Sequence, residues 1–190
     1  MSRLTDLLAP RLPAGFSIPA PLDRAWSWME EQGWVVDGPN GYFVTPYPGT
    51  RQLGVVFSAQ ESLAGWFEPG DAGFDQLVPI AQVSGDGSTG AVWVDGDVVR
   101  FVVLGSDGET FLLADSAVDF LRLVAIGHRE LTSWELEEDP EDDEDDEAVE
   151  AHAAFRTWVE TELDVEVPAT WTAADSDPFE EWVGRMQAER

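Results

Sequence analysis

The 190-residue sequence contains no cysteine and no lysine, and it has no long apolar run. Without cysteine the chain forms no disulfide, thiolate zinc site or cysteine nucleophile. Without lysine it has neither a Schiff-base amine nor the lysine of a phosphate-binding loop. No segment approaches the ~20 apolar residues of a membrane-spanning helix, and the start of the chain lacks the apolar core of a signal peptide. We therefore expect a soluble, cytoplasmic protein.

Basic residues are scarce as well, because 38 acidic residues stand against 10 basic ones and give a formal net charge of −28. Binding to nucleic acid or to an anionic membrane needs clustered cations, so this balance disfavours both. It favours a basic protein partner instead. The chain is nevertheless 44% hydrophobic with nine tryptophans, which predicts a folded protein rather than a disordered polymer.

The clearest structural pattern lies in residues 77–127, which predict a hairpin meander followed by a helix. Apolar, β-branched runs predict strands at 77–83, 91–94, 98–104 and 111–113. Asp95-Gly96 predicts a type I′ hairpin turn, and Asp107-Gly108 predicts the next turn. Ser116 followed by Asp119 resembles a capping box at the start of a helix that ends near Gly127. The predicted fold class is α+β, with a mostly antiparallel sheet flanked by helices.

Further helices are predicted at 3–8, 21–32, 59–67 and 148–163 from apolar spacing and capping residues. Asp177 is the predicted cap of a last helix that begins at Pro178, and residues 53–57 predict a further strand. Residues 135–150 contain twelve acidic residues and Pro140, which predicts a flexible acidic linker. The chain therefore divides into an α+β domain at 1–134, the linker at 135–150 and a C-terminal helical segment at 151–190. The terminal helices either pack on the domain or bind another chain.

Short motifs do not indicate an enzyme. Residues 85–90 match the G-x-G-x-x-G spacing of a dinucleotide site, but the next segment is a predicted strand rather than the helix that such a site requires. A kinase glycine loop also fits these residues, yet the required lysine is absent. The two histidines, His128 and His152, lie outside any hydrolytic motif. We expect no catalytic residues, no cofactor and no metal site.

Most tryptophans fit core positions, since Trp26, Trp66, Trp158 and Trp182 lie on apolar stripes of predicted helices. Trp28, Trp93 and Trp134 are not explained in this way. An exposed tryptophan surrounded by acids is a good anchor for a protein interface.

Residues 77–127 resemble the SUKH superfamily, which contains immunity proteins of bacterial toxin systems and fungal cell-wall-assembly regulators. The resemblance rests on the Pro79-Ile80-Ala81 strand, the glycine-rich turn, a strand ending in Val94-Asp95-Gly96, the Asp107-Gly108-Glu109 turn and the closing LLADSAVDFLRL at 112–123. Ser116, Phe120 and Leu121 fit the closing element of the family. The resemblance implies an antiparallel sheet with flanking helices that binds proteins rather than catalysing a reaction.

The sequence thus predicts a non-enzymatic domain that binds a basic protein, as an immunity protein neutralising a nuclease-type toxin. The expected partner-binding residues are Asp86, Asp95, Asp97, Asp107, Glu109, Trp28 and Trp93. Ordinary turn chemistry also accounts for the acids, because aspartate is a preferred turn residue. The competing function is a regulatory or scaffold protein that recruits signalling or cell-wall partners, with 135–150 as a spacer or electrostatic tail.

Overall fold

Seven strands form one antiparallel sheet whose order follows the chain from β1 to β7. The computed structural model describes residues 1–46, 54–140, 146–172 and 177–188. The strands are β1 (Val35–Gly38), β2 (Gly41–Val44), β3 (Val56–Ser58), β4 (Leu77–Gln82), β5 (Thr89–Asp95), β6 (Val98–Leu104) and β7 (Thr110–Ala114). The helices are α1 (Arg3–Leu8), α2 (Ala20–Glu31), α3 (Ala117–Val124), α4 (Asp146–Leu163) and α5 (Pro178–Ala188). The predicted α+β class, with helices flanking a meander sheet, is confirmed.

The turn between β5 and β6 differs from the predicted type. Asp95 pairs with Val98, so Gly96 and Asp97 are the two loop residues. Gly96 has a φ of 61°, whereas Asp97 is not among the residues with positive φ. A type I′ turn needs positive φ at both loop positions, so that prediction is wrong. Glycine at the first position with an ordinary second residue is the pattern of a type II′ turn, which also matches the twist of a hairpin.

The helix predicted at 59–67 is also absent, and an irregular segment with one turn replaces it. The Ser58 hydroxyl accepts the N–H of Gln60 at 2.9 Å, as a cap would. Gly65, however, has a φ of 89°, which ends helical geometry within the predicted span. Leu63 and Phe67 are buried against the sheet, so tertiary packing fixes this segment in place of a regular helix.

One face of the sheet is covered by α1, α2 and α3, which enclose the larger core. The α4 helix packs on α2 and α3 and closes this core from outside. A chain of aromatic contacts crosses it: Trp26 lies 5.5 Å from Phe57, Phe57 lies 6.3 Å from Phe120, and Phe120 stacks on Phe101 at 4.4 Å. Ser116 caps α3 by accepting the N–H of Asp119 at 3.1 Å, as the sequence predicts. The α3 helix, which follows the meander in the sequence, therefore packs on this face of the sheet.

The opposite face is covered by α5 and the 62–76 segment, which form a second apolar cluster with the sheet. Phe179 and Trp182 of α5 pack against Trp93 at centroid distances of 5.3 and 5.4 Å. Asp177 caps α5 through the N–H groups of Phe179 and Glu180, and its other oxygen accepts the N–H of Leu112 at 2.6 Å. Thus α5 packs on the sheet, while α4 packs on α2 and α3. Both C-terminal helices belong to the same core as the meander, which answers the question that the sequence left open.

The described parts of the acidic run take part in this structure. Leu136 is 1% exposed and its carbonyl accepts the N–H of Trp171 at 2.8 Å. Residues 146–150 form the first turns of α4. Residues 141–145 of the predicted linker, and residue 53 at the start of a predicted strand, lie outside the described residues. No helix in the described ranges is long and apolar enough to cross a membrane.

Candidate functional site

Three segments meet at one end of the sheet. The β4–β5 and β6–β7 loops lie at the same end because the sheet is an antiparallel meander. The segment after α3 joins them, since the N–H of Leu131 donates to the Val83 carbonyl at 2.8 Å and the N–H of Gly85 donates to Glu130 Oε1 at 2.8 Å. The Ser133 hydroxyl donates to Glu109 Oε1 at 2.7 Å. These bonds fix the relative positions of all three segments.

A groove of about 560 Å³ lies between these segments. Its apolar wall includes Val103, Phe111 and Leu131, and its acidic residues are Asp86, Asp107, Glu109 and Glu130. We call it the acidic groove. The structure therefore brings together three of the acids expected from the sequence, and it adds Glu130.

Asp86 organises the loops of the groove. Its carboxylate accepts the hydroxyls of Ser84, Ser88 and Ser106, the last at 2.6 Å, and the N–H of Ser88 at 2.9 Å. These hydrogen bonds, that of Ser106 first, hold the pKa of Asp86 well below its usual range. The side chain is ionised at neutral pH, and both of its oxygens are used inside the protein.

The other three acids of the groove keep acceptor capacity. Asp107 accepts the N–H of Glu109 at 3.0 Å through Oδ1, while Glu109 and Glu130 each use Oε1 for the bonds given above. Within the described ranges, none of the four groove carboxylates forms an ion pair. The second oxygen of each of these three carboxylates is therefore available to accept a hydrogen bond from an incoming donor.

Trp134 also lines the acidic groove, and its side chain is 64% exposed. Few large apolar residues of the described chain are as exposed as this one. An indole face next to carboxylates attracts a cation in two ways, through the quadrupole of the ring and through the negative charge of the carboxylates. The sequence left Trp134 outside the predicted helix stripes but gave no sign that it would meet the acids of the turns.

The remaining predicted residues lie elsewhere. Asp95 and Asp97 are at the opposite end of the sheet, where Asp95 pairs with Arg100 at 3.0 Å. Trp28 is half-buried between α2 and α4, 5.0 Å from Trp34 and 5.5 Å from Trp158. Trp93 is 2% exposed beneath α5. A partner that occupies the acidic groove does not reach these residues.

Comparison with protein-family models, with curated proteins and with solved structures found no match for this chain. The resemblance to the SUKH superfamily therefore stays a prediction, and the functional argument rests on the acidic groove.

The histidines have different surroundings. His152 of α4 has its Nε2 2.9 Å from the Ala125 carbonyl at the end of α3, which ties the two helices together. His128 is 3% exposed, and its Nε2 has no hydrogen-bond partner among the described residues. Burial lowers the pKa of both imidazoles. Among the described residues, no group of three or more histidine and acidic side chains is placed to hold a metal ion.

A larger cavity of about 820 Å³ lies between the N-terminal segment and residues 62–79. Its lining is mainly proline, leucine and phenylalanine, with Arg11 as its basic residue. The Arg11 guanidinium donates to the carbonyls of Ala59 and Glu61 and so anchors the irregular segment to the N-terminus.

Proposed function

We propose that this chain is a non-catalytic protein-binding domain that holds a basic protein partner in the acidic groove, as an immunity protein neutralising a nuclease-type toxin. The observation that carries the proposal is an acidic groove beside the exposed Trp134, in which the described lining residues include no cation. A nuclease presents a basic surface to its substrate, and an acidic inhibitor blocks it by occupying that surface.

The position of the acids supports binding by a preorganised surface. Serine hydroxyls and backbone N–H groups fix the groove loops, so ordering them costs little when a partner docks. Asp95 contrasts with these acids, because it already forms an ion pair with Arg100, which it shares with Asp115. Unpaired carboxylates gain most from an arginine or lysine of the partner.

The net charge of −28 supports fast association as well. Long-range attraction steers a basic protein toward an acidic one and raises the association rate, and salt screens this effect. The surface acids set the rate of encounter, while the groove and Trp134 set the lifetime of the complex.

The test is capture of partners from the native host with the immobilised full chain. The affinity of the captured protein for the chain is then measured, together with inhibition of its nuclease activity by the chain. The groove variant combines Asp107→Asn, Glu109→Gln and Glu130→Gln. The matched control combines Asp97→Asn, Glu31→Gln and Glu181→Gln, which are exposed acids away from the groove. Both variants change the net charge equally.

We expect a basic partner whose affinity for the groove variant is at least about tenfold lower, since one charge-assisted hydrogen bond contributes about 1.5–3 kcal/mol. The control variant should retain affinity within about threefold, with a slower association rate. Equal losses in the two variants would show that bulk charge, and not the acidic groove, binds the partner. A captured partner without a basic surface would also contradict the proposal.

In the regulatory alternative, the domain recruits signalling or cell-wall partners while residues 135–150 act as a spacer or electrostatic tail. Deleting residues 141–145, which leaves Leu136 and α4 in the chain, separates the two ideas. The proposal expects the partner to bind this deletion with a moderately slower association rate and an unchanged dissociation rate. Complete loss of binding would place the principal contact in the acidic run.

A further inference from the structure

A second pocket, of about 570 Å³, lies at the same end of the sheet as the acidic groove but on its other face. The β4–β5 and β6–β7 loops contribute to it through Gly87 and Ser106. Leu104 also lines it and belongs to the apolar cluster under α5, whereas Val103 lines the acidic groove. Successive residues of a strand point to opposite faces, so the two sites are separate.

The polar groups of this pocket can both donate and accept hydrogen bonds. Three hydroxyls and one carboxamide line it, from Ser62, Thr89, Ser106 and Gln187. None of the described lining residues has an ionisable side chain, so we call it the neutral pocket. A chain with a net charge of −28 repels an anion, and this lining offers a cation no ion pair. The neutral pocket therefore matches an uncharged ligand that carries several hydroxyls.

Thr89 supplies an unpaired hydroxyl to the neutral pocket. The residue is only 9% exposed, and the alternation of β5 places its side chain on the same face as Ala91 and Trp93, toward the pocket. The hydroxyl has no hydrogen-bond partner among the described residues, yet it is not one of the unpaired atoms that are closed off from solvent. Buried polar groups are normally paired, so this hydroxyl calls for a bond from outside the chain.

Trp66 supplies an apolar surface beside these hydroxyls. It packs against the second apolar cluster, and it is partly exposed where it lines the neutral pocket. The flat indole can stack on the C–H face of a sugar ring. A Cβ added at Gly65, Gly87 or Gly108, which also line the pocket, would meet no atom within 4 Å. These glycines therefore keep the space near the indole open.

We infer that the neutral pocket binds an uncharged pyranose sugar, whose ring stacks on Trp66 and whose hydroxyls pair with Thr89 and Gln187. The inference adds a small-molecule ligand to the proposed protein partner, on the other face of the sheet. A purely apolar ring would leave the Thr89 hydroxyl unpaired, and an acidic or phosphorylated sugar would be repelled by the charge of the chain.

The probes are the methyl β-glycosides of glucose, galactose and N-acetylglucosamine, added to the full ¹⁵N-labelled chain. Cyclohexanol, which lacks the other hydroxyls, and methyl β-glucuronide, which adds a carboxylate, are the controls. Binding is followed by NMR at the Trp66 indole N–H, whose signal is assigned by its loss in Trp66→Phe. The pocket variant combines Thr89→Val with Gln187→Met. Its matched control combines Thr161→Val with Gln32→Met, at exposed positions of α4 and the end of α2.

At least one of the three sugars should bind with a dissociation constant of about 1–10 mM and shift the Trp66 signal. Both control compounds should bind at least about fivefold more weakly. The pocket variant should lose at least about fivefold in affinity, and the matched control should stay within about twofold. Thr89→Val keeps a β-branched side chain in the strand, so both variants should melt like the unmodified chain. If the pocket variant melts lower, Gln187→Met alone, at an exposed position, should still weaken binding.

Three results would overturn the inference. The first is that no sugar binds at concentrations up to about 50 mM, well above the expected dissociation constants. The second is that a sugar binds without a shift of the Trp66 signal, or with equal affinity for the pocket variant and its control. The third is that cyclohexanol binds as tightly as the sugars. Partner capture tests the acidic groove separately, so either proposal can fail without the other.

Discussion

Replacing Trp182 with alanine tests whether α5 is an integral part of the core. Trp182 is 4% exposed and contacts Phe67, Trp93 and Phe179 at centroid distances of 5.6, 5.4 and 5.6 Å. Gly73 lies against the indole, since a Cβ there would come within 2.7 Å of Trp182 Cζ2. No side chain at Gly73 is available to fill the space that the ring leaves, so the cavity stays largely open.

Removal of a buried tryptophan costs about 3–5 kcal/mol, and the limited collapse at Gly73 places this site near about 4 kcal/mol. With a urea slope of about 2–3 kcal/mol per molar, the unfolding midpoint falls by about 1.5–2 M. The melting temperature falls by about 8–16 °C, at about 2–4 °C for each kcal/mol in a chain of this size. Far-UV circular dichroism is the suitable probe, because it does not depend on the missing fluorophore.

Trp134→Ala is the matched control, since it removes the same side chain from a site that is 64% exposed. Its free energy of unfolding should change by less than about 0.5 kcal/mol, as for ordinary surface substitutions. The two variants should also separate in function, with Trp134→Ala losing partner binding and keeping stability. A midpoint for Trp182→Ala within about 0.4 M of the unmodified protein would show that α5 does not cover the sheet in solution.

Two further predictions concern the charged and titratable groups. Asp86→Ala should destabilise the protein by about 1–2 kcal/mol in urea unfolding at pH 7, because Ser84, Ser88 and Ser106 lose their acceptor. Loss of a capping carboxylate has an effect of similar size. An unchanged unfolding midpoint would show that Asp86 does not organise these loops. Burial lowers the pKa of His128 and His152 in the folded state, so the unfolded chain takes up protons first as the pH falls below about 6.5. The protein therefore loses stability as the pH falls from there toward the folded-state pKa values of the two histidines. A His128→Gln and His152→Gln double variant should therefore lose less stability between pH 7.5 and 5.5 than the unmodified chain, and parallel pH profiles would contradict the cause assigned to those shifts.

The sequence predicted elements whose signals are local. The strand β6 at Val98–Leu104, the Ser116 cap of α3 and the Asp177 cap of α5 all depend on neighbouring residues, and the structure confirms each. The helix at 59–67 failed because Gly65 takes a positive φ while Leu63 and Phe67 pack under the sheet. That outcome depends on distant partners, which capping patterns do not contain.

Only those acids of the acidic groove that lie in turns could be predicted from the sequence. Asp86, Asp107 and Glu109 lie in loops that the meander predicts, and its antiparallel order places those loops at one end. The same reasoning also selected Asp95, because turn residues do not reveal that Arg100, on the neighbouring strand, forms an ion pair with it. The segment that contains Glu130 and Trp134 is held at the acidic groove by the hydrogen bond from the Leu131 N–H to the Val83 carbonyl. This bond joins residues far apart in the sequence.

The geometry at this end of the sheet also explains how so acidic a groove holds its shape. Like charges repel, and none of the four groove acids forms an ion pair with a cation among the described residues. Hydrogen-bond donors supply the compensation, since Ser88, Ser106, Ser133 and the N–H of Gly85 each donate to a groove carboxylate. Donors of this kind stabilise a negative charge without cancelling it. The groove therefore keeps its full negative charge for a partner, whereas an internal arginine, such as the one that pairs with Asp95, would have reduced that charge.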